Sequence, residues 1–372
     1  MTRPTVISLF TGAGGLDLGF EAEGFEIRVA NDINRYAVNT LKKNRPNLPI
    51  IERDIRDVET SEILEKARLS VGEATVVTGG PPCQPFSTAG KRLSIQDPRG
   101  SLFLHFVRVV KEARPHFFVF ENVRGLVSAA LKHVGFYERI NSKKELTPEE
   151  KLGSAFDFVL KKFKETGYHI NWGVLNAADY GVPQKRLRLI IIGARDPPPV
   201  PLPARTHAPQ PMMTLDGKML KKWVTLREAL RDLKDPSPEY LPFPSWGKYL
   251  KYVPPGGCWV DIPKHLQKEA LGGAHLSQGG RRGFYRRLSW DEPCPTLVTS
   301  PVMKATCLCH PDEDRPLSVR EYARIQQFPD EWEFVGPTAE KYRQIGEAVP
   351  VGLARAIARV IKVRWESGKN GV

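Results

Sequence analysis

The sequence predicts an α/β fold: a sheet of mostly parallel strands flanked by helices, with a smaller domain inserted late in the chain. Three observations predict it. Short apolar runs alternate with amphipathic stretches through the first half, the rhythm of successive βαβ units. Each run ends in glycines or acidic residues rather than leading into a hairpin turn. The rhythm then breaks at residue 196 in a proline-rich segment, "DPPPVPLPARTHAPQP", and resumes only with "RPLSVREYARIQQFPDEW" near residue 315. At 372 residues and 41% hydrophobic, the chain is long enough for a large core plus a second, smaller one.

The elements follow in order. "TVISLF" reads as the first strand, and Gly12, Gly14 and Gly15 form a turn into a helix. "IRVAND" is the second strand, followed by a helical pattern over residues 34–43. "ATVVTGG" and "FFVFENV" are further buried strands, with a helical pattern over residues 102–113 between them. The charged stretch 141–152 reads as a solvated insertion. "VLNAADYGVPQKRLRLIIIGA" reads as a loop followed by a strongly apolar strand. Residues 1–195 are thus expected to form the main domain, 196–300 the inserted one, and 301–372 a segment returning to the first. In the insertion Trp223, Phe243, Trp246, Tyr249, Tyr252 and Trp259 are candidates for a small core. "VPVGLARAIARVIKVRW" closes the chain as a helix, and no internal repeat is visible.

A formal charge of +13 favours an acidic partner, nucleic acid first, because phosphate chains reward dispersed Lys and Arg through counterion release. A merely basic enzyme is the plainer alternative. No run approaches the length of a membrane span and "MTRPTVISLF" lacks a signal-peptide pattern, so a cytoplasmic, nucleoid-associated protein is expected. Five scattered cysteines do not suggest a disulfide framework. "CLCH" offers Cys307, Cys309 and His310 to a metal, but no second close pair completes a tetrahedral set, and none is expected to bind.

The residues that carry chemistry stand at strand ends. Cys83, in "VVTGGPPCQPFSTAG", follows a β-branched run that Pro81 and Pro82 forbid from continuing, so it lies on a rigid loop rather than in the packing role common for a lone cysteine. A thiol with an ordinary pKa of about 8.5 needs an activating partner to act as a nucleophile. Glu121 and Asn122 are delivered by "FFVFENV" to the same sheet edge, and Glu121 with Cys83 makes a candidate catalytic pair. Arg186 and Arg188 in "QKRLR" alternate with leucines, so they are expected on one strand face beside that carboxylate; the alternative is the polar start of a core strand. The glycine turn with Asp32 suits a nucleotide-like cofactor whose ribose hydroxyls need an acid, and Asp54 is a third contact or else an exposed loop acid.

"FTGAGG", "GGPPCQPFS", "ENV", "QKRLR" and "IGEAVP", in this order, resemble the DNA (cytosine-5)-methyltransferases, bacterial type. The resemblance spans about residues 5–362, with no family-wide motif over 196–295. It implies an S-adenosylmethionine-dependent methyltransferase with a Rossmann-like mixed sheet and an inserted target-recognition domain. It implies that Cys83 attacks carbon 6 of a cytosine flipped out of duplex DNA, that Glu121 holds or protonates ring nitrogen 3, and that Arg186 and Arg188 position the Glu and the covalent intermediate. It places S-adenosyl-L-methionine along Phe10, Gly12, Gly14, Gly15 and Leu16, with Asp32 on the ribose, Ile33 against the adenine and Asp54 with Ile55 at the adenine edge. Pro82, Leu102, Glu347, Ala348 and Val349 match further cofactor contacts. The loop 84–99 resembles the segment that closes over flipped DNA, with Gln84, Ser87, Lys91 and Arg92 as its expected contacts.

In the insertion, "GGRRGFYRR" supplies Arg281, Arg282, Arg286 and Arg287 to read guanines or grip phosphates, the alternative being a solvated basic loop. One departure stands out: Glu347 occupies the position where the family usually has Asn, either near the cofactor's sulfonium or turned to a neighbouring Lys or Arg. The expected partner is double-stranded DNA, with a cognate restriction endonuclease sharing the site without a stable complex, and the protein is expected to be a monomer. Rival readings are a transfer-RNA cytosine methyltransferase, a nucleotide-dependent oxidoreductase and an inactive DNA-binding protein. The last two leave Cys83 and Glu121 without a task.

Overall fold

The computed structural model describes residues 3–82, 102–132, 134, 145–276 and 283–369. Its packing separates two units: Met1–Leu175 with Leu187–Ala204 and Ala354–Val372, and Asn176–Arg186 with Arg205–Leu353. In the first unit, strands β1 (Thr5–Leu9), β2 (Glu26–Asn31), β3 (Ile50–Ile51), β4 (Val76–Gly79), β5 (Phe117–Val123) and β6 (His169–Asn176) form one sheet with β8 (Leu187–Ala194); β7 (Gln184–Lys185) lies in the second unit. The sheet order is β3-β2-β1-β4-β5-β8-β6, with β8 antiparallel to β5 and the pairings from β3 to β5 parallel. This is a mixed sheet, mostly parallel, of the kind the resemblance implies. Val174, Leu175 and Asn176, expected in a loop, complete β6.

Helices α1 (Gly15–Ala22), α2 (Arg35–Asn44), α3 (Thr60–Ala67) and α4 (Leu102–Ala113) connect these strands. The Asn34 side chain caps α2 by accepting from the amides of Tyr36 and Ala37, which is why the helix starts there. α4 buries Phe103, Phe106, Val109, Val110 and Ala113 on one face, as its spacing predicts. Phe106 meets Phe118, Phe120 and Phe163 edge-on in the main core.

The second unit has its own core of Tyr249, Leu250, Val253, Ile262, Leu271 and Tyr285, among others. Phe243, Trp246, Tyr249 and Trp259 join it as the sequence suggests. Trp223 instead donates its indole N–H to Asp179, and Tyr252 is exposed. Cys307 and Cys309 sit in this core, where burial raises both thiols, that of Cys309 to about 12.

Candidate active site

Register aligns the functional strand ends on one edge of the first unit. Leu9 lies opposite Asn31 and Gly79, and Gly79 opposite Phe120. The segments that follow these residues therefore emerge together: the Phe10–Gly15 turn, Asp32, the Gly80–Pro82 turn and Glu121. β8 runs antiparallel, so its first turns lie at the same edge, with Arg188 opposite Val123.

Glu121 is 8% exposed. Its Oε1 pairs with Arg188 Nε at 2.8 Å, and burial pulls the Arg188 guanidinium below its ordinary value while the carboxylate opposes that shift. The other oxygen, Oε2, lies 2.8 Å from where a Cβ on Gly80 would stand, so this glycine lets the carboxylate rest against the turn that leads to Cys83. Asn122 strengthens the link by donating to the Pro81 carbonyl at 3.3 Å. Cys83 itself lies outside the described residues, as do Gln84, Ser87, Lys91, Arg92, Arg281 and Arg282.

The expectation that Arg186 and Arg188 share one strand face is corrected. β7 ends at Lys185 and β8 begins at Leu187, so Arg186 falls in the break and the two-residue alternation does not pass through it. Arg186, 1% exposed, donates to the carbonyls of Leu297 at 2.9 Å, Gly346 at 2.6 Å and Ala348 at 3.1 Å. Arg188 is the arginine on Glu121.

The glycine turn fits a ligand that approaches the backbone. Phe10, Gly12 and Gly14 have φ of 52°, 56° and 87°, and open space surrounds the position a Gly12 Cβ would take. Asp32 braces the turn: Oδ2 accepts from the Gly12 amide and Oδ1 from the Asn34 amide, both at 2.7 Å. Ile33 beside it is 65% exposed, an apolar surface suited to a purine ring. These features fit S-adenosylmethionine. Leu16 and Ile55, 7% and 2% exposed, have side chains committed to packing, so only their main chains remain for a ligand. Asp54 accepts from the Arg56 amide and guanidinium, and those hydrogen bonds hold its carboxyl below the usual range. Leu102 is half-buried at the start of α4, and Pro82 is exposed.

Sequence reading missed Asp17. It is buried in the first turn of α1, accepts from Ser8 Oγ at 2.6 Å and has its pKa raised by desolvation. The signal was a lone acid on the apolar face of "GLDLGF".

In the second unit, Glu347 is exposed at the end of the helix Thr338–Glu347 and pairs with Arg343 at 3.3 Å. Ala348 is half-buried and Val349 buried. Arg286, half-buried, lines a groove of about 1070 Å³ with Gly257, Trp259, Leu288 and Pro293. Arg287 is corrected from DNA contact to structural arginine. It is 5% exposed and donates to the carbonyls of Val253, Leu250, His310 and Glu313, with Asp314 as its ion-pair partner. A guanidinium saturated by buried acceptors has none of its fork left for a base.

The chain matches the family described as C-5 cytosine-specific DNA methylase over residues 4–363. It is 41% identical to the Type II methyltransferase M.Sau96I of Staphylococcus aureus over 364 residues, 95% of this chain and 74% of that one. It is 40% identical to M.PspPI of a Psychrobacter species, covering 96% of this chain and 78% of the relative. Among solved structures, the Entamoeba histolytica methyltransferase EhMeth superposes with a TM-score of 0.60 at 15% identity, covering 98% of this chain and 99% of the other. The Spodoptera frugiperda DNMT2 mutant superposes with a TM-score of 0.58 at 19% identity, covering 97% and 100%. At those identities the structures speak for the fold, while the sequence relatives and the family match carry the identification. The chain belongs to the C-5 cytosine-specific DNA methylases and is a DNA (cytosine-5-)-methyltransferase.

Proposed function

We propose that the protein methylates carbon 5 of a cytosine within a specific duplex DNA sequence through a covalent Cys83 adduct on a flipped-out base. The observation that carries this reading is the Glu121 carboxylate, held by Arg188 on one oxygen and resting by the other against Gly80, three residues before Cys83. The Cys83 thiolate adds to carbon 6, and the displaced electron pair moves toward nitrogen 3, where Glu121 hydrogen-bonds or donates a proton. Carbon 5 becomes nucleophilic. Bound S-adenosylmethionine supplies the electrophilic methyl group that carbon 5 accepts. Removal of the carbon-5 proton then expels the Cys83 thiolate and restores the ring. Arg188 keeps Glu121 oriented throughout, and the low-polarity surroundings of the pair strengthen their interaction.

The cofactor is assigned to the Phe10–Gly15 turn, Asp32, Ile33, the Asp54 turn, Pro82 and Leu102, and by the same resemblance to Glu347, Ala348 and Val349. The Asp32 carboxylate that braces the turn is the acceptor group assigned to the ribose hydroxyls. Target recognition is assigned to residues 196–300, with Arg286 as a base or phosphate contact. The Type II names of the relatives support a restriction-modification setting; the reading adds an endonuclease that shares the site without binding the methyltransferase, and a monomer working in the cytoplasm. No described helix is long and apolar enough to cross a membrane.

The test is Cys83→Ala assayed with radiolabelled S-adenosylmethionine on duplex DNA and on transfer RNA. Transfer to duplex DNA by the unaltered protein, lost in the variant with cofactor binding retained, is expected. Wild-type turnover by a folded variant would overturn the adduct, and preference for transfer RNA would overturn the substrate. Bisulfite sequencing of DNA from an expressing host then reads the site.

A further inference from the structure

The second unit contains a buried amide-guanidinium cluster at the end of the helix Thr338–Glu347. The last carbonyls of a helix lose their intrahelical partners and need other donors. Here side chains supply them. Gln326 is fully buried, and its Nε2 donates to the carbonyls of Ile345 at 2.6 Å and Ala348 at 3.1 Å. Its Oε1 accepts from Gln184 Nε2 at 2.8 Å, and Gln184 Oε1 accepts from the Leu297 amide at 2.9 Å. Arg186 reaches the same stretch, donating to Gly346 and to the Ala348 carbonyl that Gln326 also holds. Two side chains, through four hydrogen bonds, thus fix a turn that would otherwise fray, and they fix it where residues 347–349 leave the helix.

We propose that Gln326 is a positioning residue for cofactor binding: with Gln184 and Arg186 it sets the path of Glu347-Ala348-Val349. This rests on the assignment of those three residues to the S-adenosylmethionine site. A primary amide suits the task because it presents one acceptor to Gln184 and two N–H donors to two carbonyls at once. Leucine, of similar size, would remove this donor from the Ile345 carbonyl, leave the Ala348 carbonyl to Arg186, and take the acceptor from the Gln184 amide, so the segment would shift to recover partners.

The experiment compares the full-length protein with Gln326→Leu and Gln184→Ala, measuring S-adenosylmethionine affinity by calorimetry, KM for each substrate, kcat and thermal midpoint. Gln326→Leu is expected to weaken S-adenosylmethionine binding and raise its KM about tenfold, the scale of one lost buried hydrogen bond, with KM for duplex DNA held within about twofold. Gln184→Ala, which leaves both Gln326 donors in place and removes the contact to its acceptor oxygen together with the acceptor of the Leu297 amide, should show a smaller shift in the same direction and serves where the leucine variant does not fold. Unchanged cofactor affinity in folded variants overturns the proposal. Equal weakening toward cofactor and DNA also overturns it, in favour of a general packing role. Failure of the unaltered protein to bind S-adenosylmethionine would instead overturn the site reading on which the proposal rests.

Discussion

Gly80→Ala tests the coupling between the Glu121 carboxylate and the turn before Cys83. A Cβ at this position would stand 2.8 Å from Glu121 Oε2, about 0.6 Å inside the 3.4 Å at which ordinary contact begins. The backbone of Gly80 is not in the left-handed region, so alanine adds no dihedral strain. The carboxylate cannot simply swing away, because Oε1 is held by Arg188 at 2.8 Å and both side chains are about nine-tenths buried. The expected outcome is a displacement of roughly half an ångström to one ångström in the group proposed to engage nitrogen 3. Misplacements of about 1 Å at a reacting centre cost on the order of a hundredfold in rate. Single-turnover methylation of a duplex should therefore slow by about 10- to 100-fold, with S-adenosylmethionine affinity unchanged and stability lowered by no more than about 1–3 kcal/mol. A methyl-transfer rate within twofold of wild type would refute the argument, since it would mean the contact does not set the position of the carboxylate.

Four further outcomes follow from the structure. Arg188→Met breaks a buried ion pair with Glu121, so a loss of about 3–5 kcal/mol in urea unfolding is expected together with a collapse of methyl transfer; unchanged stability would count against a desolvated pair. Arg287→Ala should lower the thermal midpoint and weaken cognate and random DNA alike, because it strands several buried carbonyls. Arg286→Ala should leave stability within about 0.5 kcal/mol and reduce cognate discrimination by roughly 1–3 kcal/mol in competition binding. Glu347→Asn breaks a half-exposed pair with Arg343, of the kind worth about 0.3–0.5 kcal/mol. Cofactor affinity and single-turnover rate should stay within twofold, and a variant that binds S-adenosylmethionine more weakly yet transfers faster would place the carboxylate beside the sulfonium instead.

What the sequence by itself determined is local and periodic. Apolar runs closed by glycine, proline or an acid mark β1, β2, β4 and β5 and the residues at their ends, because a strand that is buried on both faces must be apolar and must stop where its backbone can no longer pair. That logic reaches the Phe10–Gly15 turn, Asp32, the Gly80–Pro82 turn and Glu121, and the ordered motifs carry the family. Partnership was decided by tertiary structure. Arg186 and Arg188 are two residues apart in an alternating pattern, yet a strand break sends one to backbone carbonyls and the other to Glu121. Arg286 and Arg287 are adjacent in a basic run, yet one lines a groove and the other is saturated by buried carbonyls. Gln326 looks like any polar helix-end residue until the carbonyls of Ile345 and Ala348 are found above it. Periodicity reports which way a side chain points relative to its own backbone. The acceptors it meets come from segments tens to more than a hundred residues away, and only the folded chain brings them into reach.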